Sequence, residues 1–322
     1  MARPGTGLGG TQGLRQNRGL PPGLGAFNIL KGFAGTRPFS RHQAPKIYGR
    51  IGNLEVRLAR TRAEVKLAQQ LRYRVFFEEM SAEPSRLAKF RRRDEDAFDA
   101  CCDHLLVVDL AAVDKVRRHG VKPSPKVVGT YRVLRQDVAE RHQGFYTAAE
   151  FNIAPLLAAK PQCRFMELGR SCVLAPYRTK RSVELLWHGL WTYVREHKID
   201  VMIGCASFEG ADPAEHAMSL SFLHHNAMAP AEWRCRALDE RYVAMNLLAK
   251  EAVNAKAALK EMPPLIKAYL RLGAFVGDGA VIDRQFGTTD VLIVLPVEKI
   301  DPRYFEHYGT PEEVKSRVAV DA

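Results

Sequence analysis

The chain has 322 residues, 46% hydrophobic and 26% charged, with a formal net charge of +12, an ordinary balance for a globular protein of one large or two modest domains. No run approaches the ~20 apolar residues that span a bilayer; the densest, Val291–Leu295, is strand-sized, so no integral membrane protein is expected. The six cysteines include no Cys-x-x-Cys pair, and no export signal is recognisable, so neither a zinc site nor a disulfide framework is expected and a reducing, cytoplasmic setting is.

The charge is uneven. Residues 1–50 carry Arg3, Arg15, Arg18, Lys31, Arg37, Arg41, Lys46 and Arg50 and no acid, which is +8 and leaves +4 for the rest. Residues 1–52 are rich in Gly, Pro and Arg, with one short apolar group at Phe27–Leu30. Such a segment buries too little surface to offset its ordering entropy, so a disordered basic tail is expected. It is either a passive leader or an arm lying on an anionic membrane face, where each Lys or Arg adds ~1 kcal/mol. Nucleic acid is not the expected partner, because the basic residues lack an aromatic stacking platform.

The folded part is expected over 53–310, as one domain with a C-terminal extension, and 311–322 as a tail. Glu55–Ala59 alternates like a first strand. Leu67, Leu71 and Val75 then recur at helical spacing, predicting a helix over 63–79. The charged run over 86–96 reads as an exposed loop. His104–Asp109 and Val127–Leu134 read as buried strands joined as a hairpin. Arg164–Pro176 reads as a strand carrying Glu167 and Arg170, followed by a basic turn, Tyr177-Arg178-Thr179-Lys180-Arg181, and a helix capped by Ser182. Its apolar face is Val183, Leu186, Trp187, Leu190, Trp191 and Val194. Val201–Ala206 is a further strand, Asp212–Ala227 a helical stretch rich in His and Met, and 230–262 stays unassigned. A short helix over 265–272 and a last strand, Asp290–Leu295, complete an α/β domain with a mixed sheet.

Four motifs stand in order: Arg72-Tyr73-Arg74-Val75-Phe76, Asp96-x-Phe98-Asp99-x-x-x-Asp103, Gly129-x-x-Arg132 and Glu167-x-x-Arg170. In this order they resemble GNAT-type acyltransferases that draw on acyl-carrier protein, autoinducer (acyl-homoserine-lactone) synthases among them. The closer resemblance is to ornithine–acyl-carrier-protein N-acyltransferases, which make lyso-ornithine lipid. It rests on the segment from Tyr177 through Arg181 to Leu186-Trp187-x-Gly189-Leu190, and on the run from Pro263-Pro264 through Gly273 to Asp283 and Asp290. It spans about 55–310 and implies a GNAT-like fold and an N-acyltransferase. The donor would be a 3-hydroxyacyl chain on the phosphopantetheine of acyl-carrier protein and the acceptor L-ornithine, with no further cofactor and no metal. The competing readings are an acyl-homoserine-lactone synthase and, from another class, a non-catalytic basic membrane- or nucleic-acid-binding protein.

Acyl transfer to an amine needs a base, a polarised thioester and a held carrier arm. Glu167 fits the base or an anchor for the amine; its bland alternative is an ion pair with Arg170. Positions three apart on a flat strand face opposite sides, so a bulge at Gly169 is needed to bring both to one site. At a helix N-terminus, exposed backbone N–H groups and the three cations Arg178, Lys180 and Arg181, with Tyr177 beside them, make a phosphate cradle. The turn lacks the small residues that cradle the coenzyme A pyrophosphate in GNAT enzymes, which favours a carrier protein. Arg74 and Arg132 with Asp99 and Asp103 would hold the zwitterionic amino acid. His104 and Asp109 match an H-x-x-x-x-D pattern, but an offset of five on a regular strand puts them on opposite faces.

Overall fold

In the computed structural model of the protein, residues 46–80, 82–113 and 125–301 are described. The expectations for most of the basic tail and for the segment from 311 onward lie outside the described residues. The described part opens with an antiparallel hairpin, β1 (Ile47–Ile51) and β2 (Leu54–Leu58). β1 falls inside the segment assigned to the tail, and its boundary is corrected here: Tyr48 is buried and its hydroxyl donates to Glu196 at 2.9 Å. One buried aromatic is enough to dock a strand that composition alone marks as solvent-bound.

Helix α1 (Arg62–Tyr73) starts at Thr61, whose side chain accepts from the Glu64 N–H. The regular helix ends six residues short of its expected limit, and Arg74–Glu79 continue as a wider π-type turn, a distortion that recurs at functional sites. A short α2 (Arg86–Arg91) follows, then the expected antiparallel pair β3 (Asp103–Val113) and β4 (Pro125–Arg135). Next come α3 (Gln136–Ala139), a 3₁₀ turn at Tyr146–Ala149, β5 (Phe151–Asn152) and α4 (Ala154–Ala159). They lead into β6 (Phe165–Val173), α5 (Lys180–His197) and β7 (Val201–Glu209). The remainder is α6 (Ala217–Asn226), β8 (Arg236–Ala237), α7 (Ala255–Glu261), α8 (Pro264–Arg271), β9 (Phe275–Asp283) and β10 (Thr288–Pro296). β9 was not anticipated, because its glycines and acids weaken the strand signal; β10 recruits it as an antiparallel partner.

The strands form one mixed sheet in the order β1-β2-β3-β4-β6-β7-β10-β9-β8-β5. β6 and β7 are parallel, which requires a crossover, supplied by α5. Alternation divides the core between the two faces of the central strands. Met166, Met202, Val291, Ile293 and Leu295 join one apolar cluster, while Phe165, Val201, Ile203, Leu292 and Val294 join the other. Against the first cluster α5 lays Leu186, Leu190, Trp191 and Val194, with the Trp187 and Trp191 rings stacked 6.1 Å apart. The helix is capped by Thr179 rather than Ser182, and it ends at Lys198 in a left-handed conformation. Among the described residues no helix is long and apolar enough to cross a membrane.

Candidate active site

The pairing of β6 with β7 runs through Phe165↔Val201, Met166↔Met202 and Glu167↔Ile203 and then stops. Both strands continue, but β4 holds β6 and β10 holds β7, so their facing edges part. The wedge opens into a cavity of about 520 Å³ bordered by Leu168–Val173 on one side and Gly204–Ser207 on the other. At the apex the Leu168 carbonyl lies so close to Gly204 that a Cβ there would sit 2.3 Å from it. Glycine at 204 is what lets the strands meet at this point.

β6 carries a bulge beside the cavity. Arg132 pairs with Gly169 and Thr130 with Cys172, so β6 takes three steps where β4 takes two. The extra residue falls at Arg170–Ser171, and Arg170 takes the left-handed conformation, φ 52. This corrects the expectation that Gly169 supplies the irregularity. A Cβ at Gly169 would meet nothing within 4 Å. With the bulge in place, Glu167 and Arg170 both line the cavity.

Glu167 and Arg170 do not pair with each other. The Glu167 carboxylate accepts the backbone N–H groups of Tyr146 at 2.9 Å and Thr147 at 2.6 Å, tying the 3₁₀ turn to the parting strands. Burial pushes its carboxyl up from the ordinary range, against the opposing pull of the Thr147 and Tyr146 hydrogen bonds. Arg170 reaches back instead, with Nε 3.3 Å from Asp94 and Nη2 3.3 Å from Asp96. Its guanidinium also lies over the rings of Phe286 (4.6 Å) and Tyr146 (4.9 Å).

Arg170 belongs to a buried lattice of three arginines and three aspartates. Arg72, fully buried, donates to both oxygens of Asp99 at 2.9 and 2.7 Å and lies 2.8 Å from Asp94. Arg132 donates to Asp96 at 2.6 Å and to Asp99 at 3.1 Å. Although burial alone would raise it, Asp99 is held well below the ordinary carboxylate range by Arg72 and Arg132. Three expectations are corrected. Arg74 is exposed and its place is taken by Arg72. Asp99 faces Arg72, Arg132 and Gln69 rather than a ligand. Asp103 accepts from the Tyr193 hydroxyl at 2.7 Å, away from the cavity. The charged run expected to be solvated supplies Asp94, 5% exposed, as a central member. His104 is buried with Nε2 3.1 Å from the Asp99 carbonyl, while Asp109 accepts from Tyr177 at 2.8 Å, so the H-x-x-x-x-D pair does not meet.

The basic turn is partly committed. Besides Tyr177, Arg178 donates to the Val173 carbonyl at 3.0 Å and pairs with Glu79. Lys180, 87% exposed and 3.5 Å from Glu184, and exposed Arg181 project from the start of α5.

Sequence reasoning gave no role to the far wall, although Asp283 and Asp290 stand in the run that carries the resemblance. Glu150, Asp283 and Asp290 are all buried, and carboxylate oxygens from each lie within 4.8 Å of one another, the one such group of three among the described residues that is close enough to share a cation. Asp283 and Asp290 line the cavity. Burial, with Asp290 nearby, pushes Glu150 up to about 7; burial likewise pushes Asp290 up to about 6. One signal was available: Asp290 stands at the head of an otherwise apolar strand, where a charge is costly unless it has a use.

Residues 71–188, from the end of α1 into α5, match the acetyltransferase (GNAT) domain family. The parted parallel strands, the bulge between them and this match define a GNAT-type N-acyltransferase. An L-ornithine N(alpha)-acyltransferase of Brucella abortus (strain 2308) is 56% identical over 263 residues, covering 82% of this chain and 91% of that one. One from Rhizobium meliloti (strain 1021) is 57% identical over 266 residues, covering 83% and 88%. A third, from Agrobacterium fabrum (strain C58), is 55% identical over 267 residues, covering 83% and 89%. The chain belongs to the L-ornithine N(alpha)-acyltransferase family.

Proposed function

We propose that the enzyme moves a 3-hydroxyacyl chain from the phosphopantetheine thioester of acyl-carrier protein to the α-amine of L-ornithine, giving a lyso-ornithine lipid. The observation that carries this is the identity of more than half over nearly the whole length of relatives with that acceptor in their name. The extended carrier arm lies in the wedge, where the facing edges of β6 and β7 are not paired with each other, and the bulge takes Arg170 and Ser171 out of register with β4, so that their backbone N–H groups are candidates to meet the thioester oxygen. Glu167 takes a proton from the ammonium, and the freed nitrogen attacks the thioester carbonyl. The C–N bond forms as the C–S bond breaks, without a covalent enzyme intermediate. Of the two protons the ammonium gives up, one passes through Glu167 to solvent and the other ends on the departing thiolate.

The choice of a carrier protein as donor is supported by the surface beside the wedge. Lys180 and Arg181 project at the positive end of the α5 dipole; separately, α2 exposes Arg86, Lys89 and Arg91 together with Leu87 and Phe90. An acidic carrier fits this charge, and the apolar pair among cations suits peripheral contact with an anionic membrane that receives the product. The test is purified enzyme with 3-hydroxyacyl-carrier protein and either ornithine or S-adenosylmethionine, with products identified by mass. Acyl-ornithine is expected; an acyl-homoserine lactone, or no acylated amine from either, overturns the proposal.

A further inference from the structure

The cavity has two walls of opposite character. On the β6 side the charges of Arg170 and Arg132 are answered by Asp94, Asp96 and Asp99. On the β10 side Glu150, Asp283 and Asp290 face one another, with Arg241 3.5 Å from Glu150 and the charge of Arg170 reaching Asp290 across the cavity. Asp283 is partly satisfied by the N–H groups of Gln285 and Phe286, at 2.8 and 3.1 Å. Asp290 Oδ1, Glu150 Oε2 and the Thr288 hydroxyl are buried without a well-aligned hydrogen bond, although Thr288 and Ser207 lie close enough to Asp290, and Cys205 to Glu150, to hold down the rise in their pKa values. Asp290 is 6% exposed and, with Asp283 and Thr288, borders the cavity. An unpaired buried carboxylate costs several kcal/mol unless something neutralises it. The fold keeps it here at the edge of a space large enough for a ligand.

Resting on the ornithine reading above, we propose that Glu150, Asp283 and Asp290 bind the side-chain ammonium of the diamino acid and so direct acylation to its α-amine. An ammonium supplies three N–H donors and one positive charge, which meets the orphaned oxygens and the surplus of negative charge together. The same chemistry decides which of the two amines goes there. A cluster of carboxylates stabilises the charged form of an amine and raises its pKa, which is wrong for the nitrogen that must lose a proton and attack. It is right for the nitrogen that must stay inert. The amine that reacts belongs near Glu167, and the turn Tyr146–Ala149 couples the two places: Glu167 accepts two of its N–H groups, and Glu150 follows directly after it. The shift of Glu150 and Asp290 toward neutrality agrees with this, since a bound cation would restore both carboxylates.

The test compares ornithine with 2-aminopentanoate, the same carbon skeleton without the side-chain ammonium, as acceptors for the wild type, Asp290→Asn and Glu150→Gln. The wild type is expected to prefer ornithine by about 10²-fold or more in kcat/KM. Each variant is expected to lose most of that preference, the ratio of kcat/KM for ornithine to that for 2-aminopentanoate falling at least about tenfold through a higher KM for ornithine. Equal losses on both acceptors in both variants overturn the proposal, because the carboxylates then serve the fold or the chemistry rather than the ammonium. So does a wild type that does not discriminate. Activity abolished by a chelator and restored by Mg²⁺ or Mn²⁺ overturns it in favour of a metal site. Failure of the ornithine reading itself looks different: the wild type then forms no acyl-ornithine, whatever the variants do.

Discussion

Gly204→Ala tests whether the apex of the wedge sets the site. A Cβ at 204 would stand 2.3 Å from the Leu168 carbonyl oxygen. Ordinary contact begins near 3.4 Å, so β6 and β7 must separate by about 1 Å, and no flexible side chain is there to absorb the shift. Overpacking of this kind costs about 1–3 kcal/mol, equivalent to a fall of several degrees in Tm at this chain length. The same displacement moves Glu167 and the bulge relative to the thioester, and a misplacement of ~1 Å lowers turnover by about 10²-fold. The paired control is Gly169→Ala, whose Cβ points into open space and is expected to leave Tm within about 1 °C. Thermal melts and steady-state acyl transfer on both variants decide the matter. Gly204→Ala with unchanged melting and full turnover would refute the placement of the strand junction at this residue.

Three further outcomes are expected. Arg72→Met leaves Asp94 and Asp99 short of their buried partner and should cost about 3–5 kcal/mol in urea unfolding; a loss below ~1 kcal/mol would show that the lattice relaxes or admits water. Glu167→Gln can accept only one of the two N–H groups it now holds, so turnover should fall by at least ~10²-fold while far-UV circular dichroism is retained; unchanged turnover removes Glu167 from the mechanism. Stability should fall as pH rises. Burial raises Glu150 and Asp290 from 4.5 and 3.8 to about 7 and about 6; at Glu150 the charges of Asp290 and Asp283 add to the shift, while the Cys205 hydrogen bond and Arg241 oppose it. A raised carboxyl favours the folded state below its unfolded pKa, and that contribution is lost as pH climbs through the folded value. Urea unfolding of the acceptor-free enzyme should therefore give about 1–3 kcal/mol less stability at pH 8 than at pH 5; stability rising across that window contradicts the assignment.

The central strands, α5 and the mixed α/β class were legible because alternation and helical periodicity report directly on burial. The partners inside the site were less so. The helical period separates Arg72, one turn beyond buried Ala68, from Arg74, which points outward; the motif alone treats the two alike. Asp94 and Asp96 sit in a run of charges that normally signals solvent, and the burial of Asp94 and the partial cover of Asp96 depend on Arg72, Arg132 and Arg170 arriving from three other elements. The bulge was anticipated at the only glycine in Glu167-Leu168-Gly169-Arg170, yet the register of β4 against β6 placed it at an arginine. Non-local pairings of this kind leave no periodic trace in the chain.

The balance of three arginines against three aspartates, buried but for the partly exposed Arg170 and Asp96, also bears on how the family can change. Each single replacement among Arg72, Asp94, Asp96, Asp99, Arg132 and Arg170 leaves one unit of charge stranded in the interior, whereas a matched double replacement by apolar residues need not be destabilising. The lattice therefore resists stepwise drift. Across descendants of this enzyme these six positions should be retained as a set or lost in oppositely charged pairs, so their history of substitution is written in twos.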